Sequence, residues 1–303
     1  MEEDRKWTHE CLEFMMMGEY ESGLNLKMKH FPKSFFKYKS LSNNTLNALK
    51  ANELWLSDII SLNDPFEGSL QFDNDECLRL VYGDVRSQDE FERKFGFRLT
   101  ASEIAQIVKS PKPYLMYSEV CRTKNIIMNS PEQQLNIIQR RWEEIMEEMN
   151  RNIRVSCFTE DKDNLLMWSH YADQHMGICL EYDFKNEGIL RTFTQPVCYK
   201  NQSHKIGVYE ELTILRVIGT ALVKSLEWKY EKEWRCIVFK QDKIFPRTIS
   251  IPDPKAIYLG ARFAQRPEYK ALADELLLLM NEREVPIYYM TKHSTEFRII
   301  KAH

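Results

Sequence analysis

Glu231, Glu233 and Arg235 follow one another at intervals of two in WKYEKEWR, residues 228–235. On a strand they share one face, with Tyr230, Lys232 and Trp234 on the other. Two neighbouring carboxylates are costly to bury. They become useful where a developing cation must be stabilised or a hydroxyl oriented, because one can hold the substrate while its neighbour titrates upward or recruits a nucleophile. The plainer alternative is a solvated strand edge on which Arg235 neutralises a glutamate. A second group lies in NLLMWSHYADQHMGICLEYDF, residues 164–184. Here a helix over 164–174 would bury Leu165, Trp168, Ala172 and either Leu166 or Met167, with His170 pointing elsewhere. His170 and His175 are five apart, the wrong spacing for two metal ligands on one helix face. The stretch also reads as plain core packing with a hydrogen-bonded His170. The third group is SLNDPFEGS, residues 61–69, where Asn63-Asp64-Pro65 marks a turn, Phe66 reads as an apolar plug, and Asp64 and Glu67 could frame a pocket.

These groups need elements to hold them. Strands are expected at 34–40, 53–57, 153–159, 177–184, 196–200, 233–239, 256–263 and 285–290, from short apolar and β-branched runs. Helices are expected over 43–52 with an Asn or Thr cap, 164–174, roughly 211–226, and 267–283 with Pro267 in the first turn. Residues 1–34 read as a helical arm in which Trp7, Cys11, Phe14 and Met15 form an apolar side that needs a partner surface. Between about 72 and 152 the texture is charged, helix-rich and strand-poor, with a break at KSPKP and a helix opened by Ser130, Pro131 and Gln133 as cap, first turn and capping box. The expected fold is α+β: one domain over 35–303 with a mixed or antiparallel sheet and a helical insertion.

Composition narrows the classes. The chain of 303 residues is 43% hydrophobic, enough for a sizeable core, and its net charge of −3 argues against a protein-wide basic field. Seven cysteines without a CxxC pair read as reduced thiols in a cytosolic protein. The apolar run Phe14–Met17 is too short for a signal sequence or a membrane span, so no membrane association is expected. There is no glycine-rich phosphate loop.

In this order, FKYKS, ELWLSDIISLNDPFEG, SCFTEDKDNLLMWSHYADQHMGICLEYD and WKYEKEWR resemble a bacterial family carried as a domain of unknown function, with the phrases NDPFE, MWxHYA and YExEWR. The resemblance spans about residues 35–240, with little from 72–152. More remotely, the layout resembles the ADP-ribosyltransferase superfamily, whose split sheet bears a basic residue on a first strand, Ser, Thr or Tyr on a central strand, and a glutamate on a later one. Those positions fall in Lys37-Tyr38-Lys39, in Ser156-Cys157-Phe158-Thr159 and on Glu231-Lys232-Glu233. Lysine stands where that superfamily usually has Arg or His, and the usual Ser-Thr-Ser is missing.

The resemblance implies an enzyme that consumes NAD as a substrate, without a bound cofactor or metal. Glu233 would stabilise the oxocarbenium-like ribose and Glu231 would orient or deprotonate the acceptor. Lys37 or Lys39, with Arg235, would neutralise the pyrophosphate. Trp168, Tyr171 or Phe158 would wall the nicotinamide, with Tyr38, Ser156, Thr159 and His170 in the same NAD-binding set and Asn63, Asp64 and Glu67 as a pocket loop. It further implies a toxin or anti-phage effector that modifies nucleic acid or protein, with an antitoxin or chaperone as a conceivable partner. Two rivals stand beside it: a metal-dependent hydrolase or nuclease built from Asp64, Glu67, Glu231, Glu233 and His170, and a binding module whose aromatic cluster is core.

Overall fold

The computed structural model describes residues 5–72, 89, 92, 93, 96, 98–126, 131–206, 213–240, 246–263 and 265–302. It divides into two compact units. The first comprises 1–68, 150–202 and 215–303, and the second comprises 69–149 and 203–214. In the first unit α1 (Trp7–Met17) ends where Gly18 turns left-handed at φ 79°, and α2 (Tyr20–Lys29) folds back against it. Then come β1 (Phe35–Lys39), α3 (Asn43–Ala51), β2 (Glu53–Trp55) and β3 (Ser57–Asp58). The cap of α3 is Ser42, whose hydroxyl accepts from the Thr45 N–H, rather than the Asn or Thr expected.

The second unit holds β4 (Leu70–Phe72), α4 (Ala101–Lys109), α5 (Pro113–Thr123) and α6 (Pro131–Asn150), the last residue of α6 belonging to the first unit. Thr100 and Glu103 form a capping box on α4, and Pro113, the last residue of the expected break, opens α5. Ile107, Tyr117, Val120 and Cys121 make the core of this unit. The expected Ser130 cap of α6 lies outside the described residues.

The first unit resumes with β5 (Ile153–Thr159), α7 (Leu165–Tyr171), β6 (Ile178–Tyr182), α8 (Gly188–Phe193), β7 (Thr194–Pro196) and β8 (Cys198–Lys200). β9 (His204–Ile206) pairs in parallel with β4 inside the second unit. The chain continues through α9 (Ile214–Thr220), β10 (Val223–Ser225), β11 (Glu233–Phe239), β12 (Thr248–Ser250), β13 (Ala256–Leu259), α10 (Lys270–Glu282), β14 (Ile287–Lys292) and β15 (Ile299–Lys301). The single helix expected over 211–226 is corrected: residues 211 and 212 lie outside the described residues, the helix stops at Thr220, and β10 follows. Val223 and Lys224 are buried in pairing with β8, and that tertiary pairing overrides the local helical pattern.

The main sheet runs β15-β14-β13-β6-β1-β5-β11-β7, with β3 also on β5. Among the described residues of this sheet only β13 and β14 pair in parallel, so the fold is α+β with a sheet of mixed orientation. Phe35, Leu180, Tyr182 and Trp234 pack one sheet face against Leu46 and Leu49 of α3 and Leu276 and Met280 of α10. Tyr38, Cys179 and Tyr258 pack the other against Met167 and Trp168 of α7. The described cysteines, at 11, 121, 157, 179, 198 and 236, form no disulfide. Among the described residues no helix is long and apolar enough to cross a membrane.

On the edge of β5 away from β11, β1 pairs only at Phe36–Thr159 and β3 only at Ser57–Val155 and Asp58–Arg154. Residues 156–158 of β5 therefore face a gap between two rungs.

Candidate functional site

The gap opens into a cavity of about 300 Å³, walled by Phe36–Lys39, Ser57, Leu62, Asn63 and Glu67, by Val155–Phe158, by Met167 and Tyr171, and by Lys224, Glu231, Glu233 and Arg235. The strand expected at 233–239 is present, but it does not extend back to Glu231, so Glu231 does not share a strand face with Glu233 and Arg235. Leu226–Glu231 is a 3-10 turn, Lys232 is left-handed at φ 45°, and the strand begins at Glu233. That reversal at Lys232 still brings both glutamates onto one ammonium: Lys224 Nζ donates to Glu231 Oε2 at 2.6 Å and to Glu233 Oε2 at 2.9 Å.

Arg235 is 0% exposed, far from a solvated strand edge. Its Nε and Nη2 donate to Glu233 at 2.8 and 3.0 Å, Nη1 and Nη2 each donate to Glu67 at 2.6 Å, and Nη1 also reaches the Ala221 carbonyl at 2.7 Å. All five guanidinium N–H groups are thus used. Glu67 arrives from the turn predicted at 61–69: Asp64 Oδ1 accepts from the Phe66 N–H, and the Glu67 N–H donates to the Asp64 carbonyl. Gly68 is required next, because its φ is +66° and a Cβ there would stand 2.8 Å from the Asn150 amide. The turn aims residues 63 and 67 inward and leaves Phe66 69% exposed, so Phe66 is no plug. Asp64 is buried in the turn and does not line the cavity.

Asn164 caps α7 by accepting from the Leu166 and Met167 N–H groups. The seven-residue helix turns Met167 and Tyr171 to the cavity. Tyr171 donates to Glu231 Oε1 at 2.6 Å, and Asn63 Nδ2 donates to the Tyr171 hydroxyl at 3.4 Å. Trp168 is buried as expected, but in the core against Tyr38, with Nε1 donating to the Lys162 carbonyl; it walls nothing. Leu165, expected inside, is exposed, and Met167 takes the buried place. His170 is exposed and outside the cavity lining, and the Thr159 hydroxyl accepts from the Asp161 N–H instead of facing a ligand. Tyr38 lines the cavity while its hydroxyl donates to the Asp161 carbonyl.

Phe36, Thr159 and Glu233 are paired across three strands and share a face, so Lys37 and Ser156 lie on the opposite one. Lys37 reaches the gap from there. Its Nζ donates to Ser156 Oγ and to the Cys157 carbonyl, both at 2.8 Å, and sits 4.7 Å from the Phe158 ring centre. The amine thus fills the place of a missing ladder N–H. Lys37, Lys39 and Trp55 also wall a second cavity of about 710 Å³ beside α3, so the two cavities adjoin at the lysine pair.

The charges follow from this geometry. Burial by itself would raise the Glu233 carboxyl, but Arg235 and then Lys224 overcome it and hold it well below the usual carboxylate range. Burial pushes Glu231 up, Lys224 opposes this, and the charge on Glu233 adds to it. Burial would depress Lys224, yet Glu233 and then Glu231 and Glu67 hold it above its ordinary value. Burial also brings Lys37 down to about 7, with the charge on Lys39 acting the same way. Three carboxyl groups therefore surround two firmly charged cations. Among the described residues no group of three or more His, Cys, Asp and Glu side chains could hold a metal ion. Lys224 and Arg235 occupy the space between the carboxylates. Lys224 was not found from the sequence, since nothing in its type or spacing marks it inside a stretch that reads as helix.

Residues 167–236 match the model of a family described as Protein of unknown function (DUF2971). The matched span contains Tyr171, Lys224, Glu231, Glu233 and Arg235, and omits Lys37, Glu67 and Ser156. No curated protein and no solved structure matches the chain.

Proposed function

We propose that this cavity binds NAD, breaks its nicotinamide–ribose bond and transfers ADP-ribose to an acceptor. The observation that carries the reading is the layout of charge: Glu67, Glu231 and Glu233 gather around Lys224 and Arg235 in the smaller cavity, and Lys37 and Lys39 stand in the wall it shares with the larger one. NAD has the matching order of charges, a cationic nicotinamide ribose followed by an anionic pyrophosphate. The smaller cavity is at the lower end of the usual size of ligand pockets, suited to the nicotinamide ribose, and the larger one can take the adenosine half.

Bond cleavage moves positive charge from the nicotinamide nitrogen onto the ribose, while nicotinamide leaves as a neutral molecule. Glu233, fixed in its ionised form, stabilises that charge as it develops. Tyr171 supports the nicotinamide side, and Glu231, whose raised affinity for protons suits it to accept one, serves the acceptor. Lys37 and Lys39 bind the pyrophosphate; Arg235, saturated by Glu67, Glu233 and Ala221, positions Glu233 instead. The direct test is mass spectrometry of NAD incubated with the purified protein, with and without RNA, DNA and cell lysate. Release of nicotinamide is expected, and intact NAD under all conditions would end this reading.

Two further outcomes follow. Glu231→Gln should lower transfer to the acceptor more than it lowers nicotinamide release to water, and equal losses in the two assays would remove the acceptor role. The second concerns pH. The charges of Lys39, Cys157, Cys236 and Glu233 act on Lys37, and in the free protein burial brings it down to about 7, so it loses its proton as pH rises through that value. A bound pyrophosphate raises that value, so NAD affinity should be full below pH 7 and fall with a slope approaching tenfold per unit above it. The free protein should move the other way: the unfolded chain binds the lysine proton up to its ordinary value, so stability from this group rises as pH climbs from about 7 towards 10. Titration calorimetry across pH, repeated with Lys37→Arg, checks both the slope and its loss.

A further inference from the structure

We infer that the N-terminal arm completes the site through Arg5, a positioning residue that holds the main chain of Glu233 so that its carboxylate meets Lys224 and Arg235 in the cavity. The catalytic consequence rests on the transferase reading, whereas the positioning itself does not. Arg5 stands two residues before α1, and its guanidinium crosses from the end of β5 to the start of β11. Nη1 donates to Glu160 Oε1 at 2.9 Å, and Nη2 donates to the Glu233 carbonyl at 3.2 Å. The same Glu160 oxygen accepts from Trp234 Nε1 at 2.6 Å. Arg5 therefore ties the residue after Thr159 to Glu233 itself, at the rung Thr159–Glu233 where β1 also joins β5.

Glu233 needs such an anchor for a local reason. Lys232 is left-handed at φ 45°, a conformation that is costly for a lysine, and Glu233 must start a strand directly after it. The Glu233 carbonyl accepts from the Val197 N–H at 3.0 Å, with Arg5 as its second donor. The Glu233 N–H donates to a side chain, the Tyr199 hydroxyl, at 2.8 Å. The Arg5 guanidinium carbon lies 5.9 Å from the centre of that tyrosine ring. Both polar groups of the Glu233 main chain are thus held in part by two side chains that are neighbours. Without Arg5, Lys232 is freer to leave the left-handed region, and that rotation carries Glu233 away from its two cations. Elsewhere the arm has its own fastenings: Trp7 packs against Trp234, and Lys27 in α2 donates to the carbonyls of Arg191, Thr192 and Thr194. Anchoring the arm and positioning Glu233 can therefore be separated.

The experiment follows the Glu233 carboxyl directly, by NMR of protein labelled with carbon-13 at the glutamate carboxyl groups; the Glu233 resonance is the one that Glu233→Gln removes. Arg235, Lys224, Glu231, Lys37 and Cys157 act on this carboxyl, and in the wild type it should stay ionised to the acid limit of the folded protein. In Arg5→Met it should titrate nearer the ordinary glutamate range, because it has moved off its cations. Arg5→Lys keeps the charge but lacks the fork that spans both acceptors, so it should fall between the two. Lys27→Met, which unties the arm at α2, should lower the unfolding midpoint and leave the Glu233 titration in place. Adding Lys232→Asn to Arg5→Met should restore the wild-type titration, since asparagine enters the left-handed region more readily than lysine. Nicotinamide release should follow the same pattern: Arg5→Met lowers kcat by about 10- to 100-fold, the scale of a misplaced group, with KM for NAD unchanged, and Lys232→Asn recovers it. A Glu233 titration unmoved in both Arg5 variants, moved equally by Lys27→Met, or not restored by Lys232→Asn would overturn the inference. If the titrations behave as expected and no form of the protein releases nicotinamide, the positioning stands and the NAD reading fails.

Discussion

Replacing Glu233 by glutamine should slow nicotinamide release by on the order of 10²–10³-fold, the usual cost of removing one preorganised electrostatic group, with NAD affinity little changed. The substitution keeps the size and reach of the side chain and removes its charge. It also disturbs the cluster, since the amide N–H₂ must face either Lys224 or Arg235, both of which are donors. The charge balance nonetheless survives: with Glu233 neutral, Glu67 and Glu231 remain against Lys224 and Arg235, so the variant should fold with a lowered unfolding midpoint. Nicotinamide release and thermal unfolding are therefore read on the same sample. A folded variant that cleaves NAD at the wild-type rate would deprive the transferase reading of its central residue.

Arg235→Met should be the most destabilising single change in the cluster. It leaves Glu67 and Glu233 buried without the guanidinium that satisfies both, and breaking a buried pair from one side costs about 3–5 kcal/mol. In a chain of this size, with about 2.1 cal/mol/K of unfolding entropy per residue, that lowers the midpoint by roughly 5–8 °C. The pH dependence should change sign. In the wild type the depressed Glu233 carboxyl contributes stability above its unfolded value of about 4.3, and that stability is lost as pH falls through the lower folded value. Without Arg235 the stranded carboxylates bind protons more tightly than in the unfolded chain, so mild acid should stabilise the variant. Adding Glu67→Gln to Arg235→Met should restore part of the loss, because one stranded charge disappears. Unfolding curves at neutral and mildly acidic pH check both statements; an Arg235→Met protein as stable as wild type would show that the ion cluster does not hold β11 and the 61–69 turn together.

The parts of this site that were legible in the sequence are those in which local chemistry and tertiary environment agree. Runs such as Ile153–Thr159 and Glu233–Phe239 are apolar enough to be buried on both faces, and they are strands. Glu231 and Glu233 could be paired from spacing, although they meet because Lys232 reverses the backbone and not because they share a strand. Phe66 was misplaced because residue type suggested the interior, while the Asx turn at Asp64 sets direction and sends Glu67 inward instead. Lys224 was invisible because its place depends on β10 pairing with β8, some 25 residues earlier in the chain, and that contact leaves no local periodicity. The gap in the sheet was equally hidden. It arises from where β1 and β3 stop along β5, a matter of register between strands far apart in sequence.

That gap has a consequence for motion. Across it, the half-sheet β15-β14-β13-β6-β1 is joined to the half-sheet β5-β11-β7 by one backbone rung, Phe36–Thr159, while β5 and β11 are zipped over their whole length. Only one backbone rung crosses this joint, and the rest of the coupling is the lysine bridge and the packing of Phe35 against Phe158 and Trp234, so the backbone ladder is weakest there. In native-state amide exchange the two halves should behave as separate cooperative units, with β5 and β11 opening together and β1 opening with β6. A ligand that spans the gap should merge them into one.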